Sequence, residues 1–98
     1  MVKAKPVPLD IEKVQRAADI LKSVAHPTRL QIVDLLQTRE MTVGEIQECL
    51  GTSQSLTSQQ LILMKARGIL KSRKVGKRVY YGVDSPEVIQ VLHCLRKC

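Results

Sequence analysis

The stretch Thr42–Gly68, TVGEIQECLGTSQSLTSQQLILMKARG, decides the fold. Thr42 and Glu45 stand three residues apart just before apolar Ile46. That is the spacing of a capping box, in which a hydroxyl and a carboxylate each satisfy a backbone N–H at a helix start. It predicts a short helix burying Ile46 and Leu50, stopped by Gly51 in the left-handed conformation. Thr52 or Ser53 then caps a second helix from Gln54 to Arg67. Leu56, Leu61 and Met64 are expected to face inward, with Leu63 near the edge and Gly68 as the stop. Two helices joined by a turn of about three or four residues containing glycine make a helix-turn-helix.

Upstream, Ile11, Val14, Ala18, Leu21 and Ala25 recur at helical spacing, with Asp10 as the expected cap. Pro27 disfavours the α region for the residue before it, so this helix is expected to end near His26. The same proline suits the first turn of a second helix. That helix buries Leu30, Ile32, Val33, Leu35 and Leu36 and ends around Gln37. Residues 1–8, with Pro6 and Pro8, read as a flexible tail, and residues 9–98 as one domain. Downstream, Ile69–Lys74 and Arg78–Val83 are strand-like, and Val75-Gly76-Lys77 supplies the turn of a β-hairpin. Asp84-Ser85-Pro86 opens a last helix carrying Val88, Val91, Leu92 and Leu95. The expected fold is mainly α with one β-hairpin, a winged helix-turn-helix with extra N- and C-terminal dimerisation helices.

The 98 residues carry a formal charge of +7, with 44% apolar residues, enough for one small core. No acidic residue occurs from Cys49 to Val83, yet that window holds Lys65, Arg67, Lys71, Arg73, Lys74, Lys77 and Arg78. The remaining sequence has nine basic and nine acidic residues, so the whole excess belongs to one contiguous segment. Such a segment suits a polyanionic partner. Two aromatic residues are too few for recognition by base stacking. No apolar run approaches the roughly 18 residues of a membrane helix, and Met1–Asp10 has no apolar core of a signal peptide. A cytoplasmic protein with no membrane partner is the expectation. No nucleophile with its base, no paired carboxylates and no phosphate-binding loop are visible, so an enzyme is not expected.

Within the helix-turn-helix, Gln54, Ser55, Thr57, Ser58, Gln59 and Gln60 place short polar side chains in the first two turns of the second helix. Such groups reach base edges or phosphates in the major groove of double-stranded DNA. The helix N-terminus itself attracts phosphate. Lys74, Lys77 and Arg78 around the hairpin tip are expected on the DNA backbone, supplying affinity and salt dependence. The face made by Val88, Val91, Leu92 and Leu95 looks too large for the protomer core. Pairing it with Val14 and Leu21 of a second copy would bury it and present two recognition helices to a palindrome. An architectural protein that coats DNA shares the basic hairpin and is the competing reading.

The segments Ala25–Leu30, Met41–Ile46, Ser53–Leu61 and Gly76–Tyr81, in that order, resemble the bacterial ArsR family of repressors over roughly residues 10 to 95. The resemblance implies a homodimeric repressor, paired through its first and last helices, that leaves its operator when an effector binds. In one metal site of that family a cysteine stands where this chain has Thr42. In another, histidine ligands stand where it has Pro86 and Lys97. Neither site is expected here. Cys94 and Cys98, four residues apart on one edge of the last helix, can grip one soft ion between two thiolates. The pair loosely fits both the arsenic-type and the thiol-redox arrangements of the family, with Cys49 as a third candidate. Arsenic(III) or another soft metal is thus a candidate effector, reactive sulfur or an oxidant a second, and a member without cysteine-based sensing a third.

Overall fold

A computed structural model describes residues 6–97. It contains α1 (Ile11–Val24), α2 (Pro27–Leu36), α3 (Val43–Leu50), α4 (Gln54–Ala66), β1 (Leu70–Val75), β2 (Arg78–Val83) and α5 (Pro86–Lys97). Most of the tail expected at residues 1–8 lies outside the described residues. Pro6, Val7 and Pro8 are exposed and carry no regular structure.

Local chemistry sets each boundary. Asp10 caps α1, its Oδ1 accepting the Glu12 N–H at 3.3 Å. The helix stops at Val24 because His26 is already committed to the next one. Its backbone is extended, with φ −154°, and its Nδ1 accepts the Thr28 N–H at 3.2 Å. Pro27 then fills the first helical position, where no N–H is needed.

The capping box of α3 is complete. Thr42 N–H donates to Glu45 Oε1 at 2.9 Å, and Glu45 N–H donates to Thr42 Oγ1 at 3.2 Å. The Thr42 N–H, reinforced by Arg39 at 3.3 Å, holds the Glu45 carboxyl below the ordinary carboxylate range. Its contribution to the start of α3 is therefore present above that range and is lost as pH falls through the lowered value. Gly51, at φ 68°, turns the chain, and Ser53 caps α4 by accepting the Leu56 N–H at 3.1 Å.

The core joins Ile32, Val33 and Leu36 of α2 to Ile46, Leu61, Met64, Ile69 and Leu70, together with Val24, Met41, Val88 and Leu92. Leu56 is a correction. It lies at the surface, and Thr57 takes the inward place. The Thr57 hydroxyl donates to the Ser53 carbonyl at 2.8 Å and shares a 2.7 Å bond with Thr52 Oγ1.

The strands pair antiparallel from Leu70↔Val83 to Val75↔Arg78, around a two-residue turn whose Gly76 has φ 61°. Met41 adds a backbone bridge to Tyr81, with N–H···O distances of 3.1 and 2.8 Å in the two directions. Tyr81 packs on the core. β2 lies against α2 and α3, and it is β1 that runs beside α4. Ser85 Oγ accepts the Val88 N–H at the start of α5, and Arg96 ties its end to Asp34 of α2 at 2.5 Å. No described helix is long and apolar enough to cross a membrane.

A Cβ added at Gly51 would meet nothing within 4 Å, so only the positive φ opposes a side chain there. Gly51→Ala should cost about 1 kcal/mol, read as a lower urea midpoint at unchanged slope. Gly51→Asn should lose less, because asparagine tolerates the left-handed region. Equal losses for both would mean the turn is constrained by something other than φ.

Candidate nucleic-acid interface

The outer side of α4 carries Gln54, Ser55 and Gln59 exposed, with Ser58 half-buried beside them. Two residues expected on this face are elsewhere. Thr57 is 0% exposed and spends its hydroxyl on the Thr52–Ser53 turn, so it cannot reach a base. Gln60 is half-buried, and its Oε1 accepts the Arg29 Nε–H at 2.6 Å. Its role is to hold α4 rather than to project from it.

That bond belongs to a clamp. Arg29 Nη1 also donates to the Ser23 carbonyl at 3.0 Å, and Arg67 Nη1 donates to Ser23 Oγ at 3.3 Å. Both the second turn and the C-cap of α4 are thus fastened to the last turn of α1. Sequence reasoning missed Arg29, although a signal existed. A cation in the first turn of a helix opposes the macrodipole, so it needs a partner elsewhere.

Lys74, Lys77 and Arg78 are exposed around the hairpin turn, Lys74 in register with exposed Val79 and Arg78 with exposed Val75. Arg73, not singled out in the sequence, reinforces the base of this wing. Its Nε–H donates to Glu40 Oε1 at 2.6 Å, and its guanidinium lies 5.4 Å from the centroid of Tyr80. Glu40 precedes Met41, whose backbone holds Tyr81, so the segment before α3 grips both strands. The wing is a stiff arm whose tip is positive.

The expected dimer residues divide into two sets. Val88 and Leu92 are 0% and 4% exposed and belong to the protomer core, which corrects their assignment to a partner surface. α5 packs along α1 and α2, and these two neighbours consume its apolar stripe. Val14, Leu21 and Leu95 remain exposed, with Val91 half-buried. Leu21 lies about 100° round α1 from Ile20, which packs on the core, so α1 has a second apolar stripe beside its buried one.

Cys49 on α3 and Cys94 on α5 are both exposed, and Cys98 lies outside the described residues. Among the described residues, no three His, Cys, Asp or Glu side chains gather closely enough to hold a metal ion.

Residues 26–72 match the model of a family described as bacterial regulatory protein, arsR family. The chain is 35% identical to the transcriptional activator HlyU of Vibrio cholerae, over 93% of this chain and 91% of that one. It superposes on the transcriptional repressor BigR from Xylella fastidiosa with a TM-score of 0.83, at 30% identity and 89% coverage of each chain. A solution structure from Mycobacterium bovis, described as a homodimeric winged helix-turn-helix DNA-binding domain, superposes with a TM-score of 0.74 at 27% identity. The match covers 95% of this chain and 86% of that one.

Proposed function

The chain belongs to the ArsR family of bacterial regulatory proteins, and from that premise we propose that it is a sequence-specific transcriptional repressor gripping a palindromic operator as a homodimer. The observation that carries this reading is the outer face of α4. Gln54, Ser55 and Gln59 stand exposed without a carboxylate among them, beside a wing tipped with Lys74, Lys77 and Arg78. Short polar side chains suit base edges, while lysine and arginine suit phosphates. Repression follows from occupancy, since a dimer seated across a promoter excludes the transcription machinery.

Dimerisation through α1 and the end of α5 is supported by exposed Val14, Leu21 and Leu95 and by the homodimeric neighbour. Two-fold pairing sets two α4 helices about one DNA turn apart. A thiol-based release is a second reading. Cys94 is exposed on α5 directly beside Leu95, so arsenite, another soft metal, reactive sulfur or an oxidant acting at Cys94 and Cys98 would disturb the dimer face. Coupling of about 1–3 kcal/mol suffices for a tenfold loss of operator affinity.

The test of function is a titration of duplexes selected by this protein from a random library, against unrelated competitor DNA. A repressor should prefer its site by at least about a thousandfold, whereas an architectural protein would show little preference. Lys77→Ala with Arg78→Ala should weaken binding to every sequence alike and flatten the salt slope by about two per protomer. A loss confined to the selected site would mean that the wing reads bases.

For assembly, Leu21→Glu should give a folded monomer by sedimentation with weakened DNA binding, because Leu21 is 48% exposed in the protomer. An intact dimer would move the interface elsewhere. For sensing, Cys94→Ser with Cys98→Ser should bind DNA normally and no longer release it on exposure to arsenite, polysulfide or peroxide, while Cys49→Ser should behave as the unaltered protein. Release that persists in the double variant would remove the pair from that role.

A further inference from the structure

Ile62 is 65% exposed, as open to solvent as Ile11 at the very start of α1, yet it lies in the third turn of α4, well inside the helix. Helical geometry puts it in line with Ser55, Ser58 and Gln59, at spacings i, i+3, i+4 and i+7. Thr57, Leu61 and Met64 occupy the opposite, buried side. The four groove-reading positions of a homeodomain recognition helix have this same spacing. The stripe extends about 10 Å along the helix axis, so Ile62 stays over the bases when Ser55 is among them. Behind it, Gln60 and Arg67 are bonded to Arg29 and Ser23, which keeps the ridge from rolling.

Resting on the reading of α4 as the DNA-reading helix, we infer that Ile62 selects a thymine in the operator by seating against its 5-methyl group. The chemistry leaves little else for it in a groove. A branched alkyl chain binds neither phosphate nor a base-edge donor or acceptor, and thymine alone among the four bases shows an apolar group in the major groove. The side chain is also suited to selection, because a β-branched residue in a helix is nearly confined to one χ1 rotamer. Its position is therefore defined before DNA arrives. The assignment divides α4 into a polar reading half, Gln54 to Gln59, and an apolar reading position one turn further on.

The experiment selects duplexes from a random-sequence library with the full chain and with Ile62→Ala. The unaltered protein should enrich a site with one constrained thymine in each half, and Ile62→Ala should leave that position unconstrained while keeping the others. Replacing that thymine with deoxyuridine removes only the methyl group. It should weaken the unaltered protein about fourfold per half-site, the equivalent of one buried methyl, and leave Ile62→Ala unaffected. The same urea midpoint for both proteins should confirm that the exposed substitution spares the fold. If both proteins enrich the same site and feel the uridine equally, Ile62 does not read thymine, although α4 still reads DNA. If the unaltered protein enriches no sequence, the reading of α4 itself falls and this assignment with it. A changed sedimentation coefficient with an unchanged site would make Ile62 a contact between copies and would likewise overturn the proposal.

Discussion

Two arginines converge on one serine at the end of α1. Ser23 is 5% exposed, and its carbonyl belongs to the last turn of α1, where helix carbonyls lack intrahelical partners. Arg29 satisfies that carbonyl and in the same stroke holds Gln60 of α4, while Arg67 reaches the Ser23 hydroxyl. Hydrogen bonds from a charged donor are each worth about 1.5–3 kcal/mol, and a partner left buried without one costs as much. The orientation of α4 relative to α1, which carries the exposed apolar stripe, is therefore set by guanidinium geometry. Lysine, a point donor on a flexible stem, cannot span two acceptors in this way.

The elements legible in the sequence were those whose signals are local. Thr42 with Glu45, Gly51, Ser53, Gly76 and Pro86 each act within four residues, and each is used in the structure as its chemistry suggests. His26 shows the limit of this local legibility. Its imidazole caps α2, a role that its ring nitrogen fills and that Asp, Ser or Thr would have announced more openly. Leu56 and Thr57 exchanged places for a related reason. A threonine whose hydroxyl bonds back into its own helix presents mostly methyl and methine to the core, so polarity by residue type misled the face assignment.

The rest required long-range partners. A periodic stripe on α5 announces burial without saying against what, and Val88 and Leu92 turned out to face α1 and α2 of the same chain. Gln60 reads as one more short polar residue among six until Arg29, 31 positions away, is seen to hold it. Met41 carries no strand signal, yet its backbone completes the wing through Tyr81. The proposed DNA-contacting residues that remain after these corrections, Gln54, Ser55, Ser58 and Gln59 with the wing cations, are the ones whose assignment never depended on a distant partner.

The segregation of charge has a kinetic consequence. The whole net positive charge belongs to the segment from Cys49 to Val83, which holds α4 and the wing, while the basic and acidic residues of the remaining sequence sum to zero. The domain is therefore an electric dipole as well as a cation. In the field of a duplex it experiences a torque that turns α4 and the wing toward the phosphates before any side chain touches, beginning within about one Debye length, roughly 8 Å in physiological salt. Encounters then start in nearly the correct attitude, and a molecule landing anywhere on a duplex is already oriented to slide along its backbone.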